Sequence, residues 1–236
     1  DTGSAAIHAF RGKDDINLYI LHPHDRVSEV QRRQMTTVQD NNIFNIAIKG
    51  SFDDCQKIVK ELFVDDDLQQ HTSLTAINSI NWARLIAQVV YYYWSFLQIN
   101  KEEINFIVPS GNFGNVFSAN VAKKMGLPIK QLHITTNQND ILHSSINKGI
   151  MNKNIVTQTY SPSMDIQISS NFERQLFESA NRNSEKIKDM FQEFSDNGSY
   201  TIEKDILDDL QSIYSTTAVN DEKTLSTIKL INDKFD

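Results

Sequence analysis

INFIVPSGNFGNVFSANVAKKMGLPIKQLHIT, residues 104–135, decides the fold. Ile104 to Val108 is an apolar run short enough for a buried strand. Helical spacing follows from Phe117 to Met125, and Gly126 stops it. Ile129 to Thr135 returns to a strand pattern. Strand, helix and strand in that order form a crossover unit, expected to be parallel and right-handed.

Upstream, the same alternation repeats. Ala5 to Phe10 reads as a helix stopped by Gly12, and Asn17 to Leu21 as a strand ending at His22-Pro23. Ser28 suits the cap of a helix running to about Gln39, and Ile43 to Ile48 is a second strand. Phe52, Cys55, Ile58, Val59, Leu62 and Phe63 recur at steps of three and four, an amphipathic helix. Asp65-Asp66-Asp67 is expected to be a solvated turn that ends it. A long helix follows from Asn81 to Gln98, with Leu85, Ile86, Val89, Tyr93, Phe96 and Leu97 on one face. Its Tyr91-Tyr92-Tyr93-Trp94 cluster reads as packing. Beyond about Asn171 the chain looks helical and charged, with no further strand expected.

Alternating strands and helices place the chain in the α/β class. The 236 residues carry 39% hydrophobic side chains, enough for a core. With 23 basic and 30 acidic residues, the net charge of −7 argues against nucleic acid or an anionic membrane as a partner. Leu85 to Ile99, the most apolar stretch, contains Gln88 and Gln98 and falls short of the ~20 residues that span a bilayer. The single cysteine, Cys55, excludes an internal disulfide framework and reads as an inert core residue. Of the six histidines only His22 and His24 are close, so no metal site is expected. The chain opens on Asp1, without an initiator Met, straight into a helix pattern, which is expected of a fragment.

Pro109-Ser110-Gly111-Asn112-Phe113-Gly114-Asn115 is the segment best suited to chemistry. It joins a strand to a helix, and its two glycines are expected to let the backbone turn and bring N–H groups onto an anion. Neither a Walker loop nor a dinucleotide fingerprint is present. An ordinary strand-to-helix turn has the same composition, and spacing alone does not choose between the two readings. Asn78-Ser79-Ile80-Asn81 opens the long helix, and Arg84 lies one turn in. Capping explains this run without a ligand, and a second anion site would use the same side chains. Asp1-Thr2-Gly3-Ser4 is a third polar helix start, with the same two readings.

These runs together resemble threonine synthase of the bacterial and fungal branch: Asp1-Thr2-Gly3, Asn78 to Arg84, Pro109 to Asn115, Thr136-Asn137-Gln138-Asn139-Asp140, Ser161-Pro162-Ser163-Met164-Asp165-Ile166 and Ser169 to Arg174. They occur in that family's order from residue 1 to about 180. The resemblance implies a two-domain pyridoxal 5'-phosphate (PLP) fold of type II, tryptophan-synthase-β-like, with parallel sheets flanked by helices and a helical C-terminal region. Residues 1–70 would be the remainder of the smaller N-terminal domain. Residues 71–236 would be the large PLP-binding domain, with a helical insertion after about 180. The cofactor phosphate would be held by Ser110, Gly111, Asn112, Phe113, Gly114 and Asn115. Thr2, Asn78, Ser79, Asn81 and Arg84 would bind the substrate, O-phospho-L-homoserine. The implied reaction uses water to give L-threonine and phosphate, in a cytoplasmic monomer or homodimer.

The Schiff-base lysine of the family is expected upstream of Asp1, and Lys13 does not match its context, so this chain alone is expected to be inactive. Exposed sheet edges and apolar faces are expected as well. Two other readings share these motifs: a phospho-lyase acting on phosphohomoserine, and a non-catalytic homologue that binds PLP or a phosphoester.

Overall fold

The computed structural model describes residues 2–99 and 101–235, so Asp1 of the first quoted run lies outside the described residues. The chain divides into two compact units, one running to Asn81 and one starting at Trp82.

In the first unit α1 (Thr2–Phe10), β1 (Leu18–Pro23), α2 (Glu29–Thr36), β2 (Ile43–Ile48), α3 (Phe52–Phe63) and α4 (Asp66–His71) follow in order. β1 and β2 pair in parallel, Leu18 opposite Ile43 through Pro23 opposite Ile48. Ala6 and Ile7 of α1 and Met35 of α2 bury against Leu18, Ile20 and Ile43 of the sheet. The helices start where the sequence supplies caps. Ser28 accepts the N–H of Gln31 while Gln31 reaches back to Ser28, and Ser51 and Asp54 repeat that reciprocal pair. The acidic run departs from expectation: Asp65 accepts the N–H of Leu68 and starts α4, because an aspartate before a helix satisfies an otherwise unpaired N–H. Asn42 closes the end of α1, its side-chain amide within 2.9 Å of the carbonyls of Phe10 and Ile16.

The second unit holds α5 (Trp82–Ile99), β3 (Ile104–Pro109), α6 (Gly114–Lys124), β4 (Ile129–Thr136), α7 (Ile141–Lys148) and β5 (Ile150–Asn152). A 3-10 turn at Pro162–Met164 precedes α8 (Phe172–Ser179), α9 (Ser184–Asn197), β6 (Ser199–Thr201), α10 (Lys204–Ile213), β7 (Tyr214–Ala218) and α11 (Asp221–Phe235). β3, β4 and β7 form a parallel sheet in that order, so the expected strand–helix–strand unit is present and parallel. β5 and β6 pair antiparallel. The core lies where α5, α6 and α8 to α10 cover this sheet, around Leu132, Ile134, Phe172, Leu176, Ile206 and Leu210.

Three expectations are corrected here. β3 is not buried on both faces: it pairs only with β4 among the described residues, and Ile107 is 70% exposed. The buried face of α5 is Leu85, Val89 and Tyr92, while Ile86 and Leu97 face outward, because Tyr92 is drawn inward by a hydrogen bond described below. Strands do occur beyond Asn171. β7 runs parallel to β4 from Tyr214 opposite Leu132, and β6 pairs β5.

Among the described residues no helix is long and apolar enough to cross a membrane, and no group of three or more His, Cys, Asp or Glu could hold a metal ion.

Candidate functional site

β3 delivers the chain into the loop 109–115 at the end of the sheet. The Ser110 N–H donates to the carbonyl of Thr135 at 2.9 Å, and Ser110 is buried. Gly111 has no positive φ, contrary to the expectation that glycine makes the turn. Its role is close approach. A Cβ there would lie 3.0 Å from Ile166 Cδ1 and 3.3 Å from Met164 Cα. Asn112 is gripped from the same side: its Oδ1 accepts the N–H of Ser170 at 3.0 Å and the Ser170 hydroxyl at 2.8 Å. Its carbonyl accepts the Asn171 side-chain amide at 2.9 Å.

The sharp turn falls on Phe113, at φ 62° and ψ −4°, a left-handed conformation that costs a residue with a Cβ about 1 kcal/mol or more. Packing holds it there. The ring is fully buried, 5.1 Å from Phe172 and 5.4 Å from Tyr214.

α6 carries no side-chain cap, and the first helical hydrogen bond runs from the Phe117 N–H to the Phe113 carbonyl at 2.9 Å. The N–H groups of Gly114, Asn115 and Val116 therefore have no acceptor within their own helix. Gly114 and Val116 are buried, so their two donors cannot be left to bulk water without cost, and Asn115 is half-buried. The helix dipole adds roughly half a positive charge at this point. No lysine or arginine occurs between residues 109 and 116, so the attraction for an anion is a main-chain property.

Asn115 contributes its main chain only. Its Oδ1 accepts the Tyr92 hydroxyl at 2.5 Å and its amide donates to Gln88 Oε1 at 3.2 Å, both on α5. Burial pushes the Tyr92 hydroxyl well above its usual range, so it stays a donor. Tyr92, Ser170 and Asn171 are residues that sequence reasoning did not assign to the site. The aromatic cluster concealed Tyr92 among neighbours that are mostly exposed. The Ser169 to Arg174 run did flag the other two.

The second expected cluster folds on itself. Asn78 Oδ1 accepts the Ile80 N–H at 3.2 Å and the Ser79 hydroxyl at 3.3 Å, and Asn81 donates to the Ala76 carbonyl at 3.1 Å. Such a turn, with an Asn side chain standing in for backbone, leaves the run compact and polar. Thr2, Asn78, Ser79 and Asn81 belong to the first unit, whereas Arg84, in the first turn of α5, and the loop 110–115 belong to the second. Arg174 lies over the ring of Trp82, 5.8 Å from its centroid, beside the start of α5.

A phosphate group fits the loop. The uncapped helix start needs acceptors, and Ser169, next to the residues that grip Asn112, has a buried hydroxyl with no hydrogen-bond partner among the described residues.

Parallel strands flanked by helices, with this loop at the carboxyl end of β3, give the chain the tryptophan-synthase-β-like fold of PLP enzymes. A PLP-bound threonine synthase from Brucella melitensis superposes with a TM-score of 0.87 at 44% identity, covering all of this chain and 51% of that one. Threonine synthase of Pseudomonas aeruginosa is 46% identical over 97% of this chain and 49% of its own length. The Saccharomyces cerevisiae enzyme is 43% identical over 98% of the chain and 48% of its own length. No family model matches the chain. The chain is homologous to the threonine synthases, and it spans about half the length of the curated relatives it matches.

Proposed function

We propose that this chain is part of a PLP-dependent threonine synthase, converting O-phospho-L-homoserine and water to L-threonine and inorganic phosphate. One observation carries the reading: the buried start of α6, with three main-chain donors and no cap, at the end of a parallel strand. The chain spans about half the length of the relatives it matches, so the activity is proposed for the whole protein.

The residues divide the work by chemistry. Ser110, Gly111, Asn112, Phe113, Gly114 and Asn115 would hold the cofactor phosphate, the main-chain N–H groups of 114 to 116 supplying the hydrogen bonds. When bound, the cofactor supplies an electron sink for carbanionic character on the substrate. Arg84 would bind the substrate's phosphate through charge-assisted hydrogen bonds, and Thr2, Asn78, Ser79 and Asn81 are the other substrate-binding residues of this reading. Directed bonds to the phosphate orient the γ-carbon that loses it and exclude free water from that end. The same reading makes the partner a small molecule and the protein a cytoplasmic monomer or homodimer.

The test is product analysis with the intact protein. Threonine and phosphate released in equal amounts, dependent on PLP, support the proposal. Phosphate without threonine makes it a phospho-lyase, and PLP binding without turnover makes it a binding homologue. Arg84→Ala is expected to raise KM for the phosphorylated substrate by roughly 10 to 100-fold, the loss of one charge-assisted contact.

A further inference from the structure

Two of the quoted runs, 136–140 and 161–166, have no part in the proposed binding scheme, and the structure brings them together on one carboxylate. Asp165 Oδ1 accepts the side-chain amide of Asn137 at 2.8 Å, that of Asn139 at 3.1 Å and the hydroxyl of Thr159 at 2.7 Å. Its Oδ2 accepts the N–H of Thr159 at 3.0 Å. No lysine, arginine or histidine forms an ion pair with it among the described residues. Four neutral donors around one carboxylate require an acceptor at every position. Asn139 adds a second fastening: its Oδ1 accepts the Thr157 N–H and its amide donates to the Thr157 carbonyl, both at 2.8 Å. Residues 157–165 are thereby tied to the chain leaving β4.

The next residues form the wall of the phosphate loop. Met164 and Ile166, on either side of Asp165, are the two neighbours that a side chain at Gly111 would strike. Four residues on, Ser170 and Asn171 hold Asn112. The wall has no regular structure of its own beyond the turn at Pro162–Met164, so its position depends on its fastenings. Asp165, between Met164 and Ile166, takes four of those bonds, and Gln167 adds one to Asn139 at 3.4 Å.

We propose that Asp165 is a positioning residue for the cofactor-phosphate loop: it docks 157–165 onto the end of β4 and so sets 164–171 against Gly111 and Asn112. The inference rests on the proposed PLP reading. Asp165→Asn keeps the shape but replaces one acceptor oxygen by a donor, which then faces another donor.

The experiment uses the intact protein, titrated with PLP and with pyridoxal, which lacks the phosphate, and the ³¹P spectrum of bound PLP. Asp165→Asn is expected to weaken PLP binding about tenfold or more, to leave pyridoxal binding nearly unchanged, and to shift or broaden the ³¹P signal. General damage to the fold would weaken both cofactors alike and would overturn the proposal. So would wild-type PLP affinity with an unchanged ³¹P signal. If Asp165→Asn does not fold, Thr159→Val removes one donor and leaves the others, and the same contrast between PLP and pyridoxal decides. An intact wild-type protein that binds no PLP would remove the functional reading itself, and this inference with it. Asp208→Asn, on the exposed face of α10, is the control for loss of a carboxylate and should change neither affinity.

Discussion

Phe113 carries a backbone conformation that glycine would adopt at no cost, yet its ring fills the space between Phe172 and Tyr214. Two effects oppose each other in Phe113→Gly. Relief of strain gives back about 1 kcal/mol, whereas loss of a fully buried phenyl costs ~3–5 kcal/mol. Net destabilisation of about 2–4 kcal/mol is expected, read from the urea midpoint of the intact protein. At Gly111 the constraint is steric. Ile166 Cδ1 can swing away, but the Met164 Cα is backbone, so Gly111→Ala must push the wall outward. PLP affinity should fall about tenfold in a cofactor titration, and unchanged affinity would contradict the close approach. Cys55 tests burial in the first unit. Burial chiefly, with Asp54 adding to it, pushes its thiol up to about 11 from an ordinary 9.0. The folded state therefore keeps this proton to higher pH than the unfolded state. The stability it contributes is complete below pH 9 and is lost as pH rises toward 11. Alkylation should be slow at pH 8 in the native protein and fast in denaturant.

At the scale of elements, the crossover of β3, α6 and β4 was legible because local signals agree: apolar runs, helical spacing and the stop at Gly126. β7 was not. Its five residues, Tyr214-Ser-Thr-Thr-Ala218, follow α10 without a loop and lack the apolar alternation that marks a strand. Tertiary partners select it. The Tyr214 hydroxyl donates to Gln175 Oε1 at 2.7 Å, and the ring nitrogens of His133 lie 2.7 Å from the Ser215 hydroxyl and 3.0 Å from that of Thr217. Gln175 also receives the Asn120 amide at 2.8 Å, so one side chain joins β7, α8 and α6. Tyr214→Phe removes a buried bond while Gln175 keeps its other partner, and should cost about 1 kcal/mol in thermal or urea unfolding. The loop 110–115 stood out for its Gly and Asn content, which left an anion cradle and an ordinary strand-to-helix turn equally open. The sequence pattern misassigned the turn, because strain at Phe113 is supported by Phe172 and Tyr214, 59 and 101 positions away in the chain.

Taken as a whole molecule, the chain leaves many large apolar side chains in the open. Ile86, Val90, Tyr91, Trp94 and Leu97 line the outer face of α5, and Trp94 is 65% exposed. Tyr19 and Phe44 stack in the open on the two-stranded sheet, 4.7 Å apart. α11 has no buried residue, although Leu225, Ile228 and Phe235 are spaced along it. A two-stranded sheet whose strands pair only with each other among the described residues is marginal by itself. Residues 1–236 expressed alone should bind a hydrophobic dye and self-associate in size-exclusion chromatography, and a dye-silent monomer would contradict this.

The start of α6 is the centre of the proposed phosphate site. The most direct test is the electron density of the intact protein crystallised with PLP. The phosphorus is expected within hydrogen-bonding reach of the main-chain N–H groups of Gly114, Asn115 and Val116, with Asn115 still bonded to Tyr92. A phosphate bound elsewhere, with these three donors facing only solvent or protein, would contradict it.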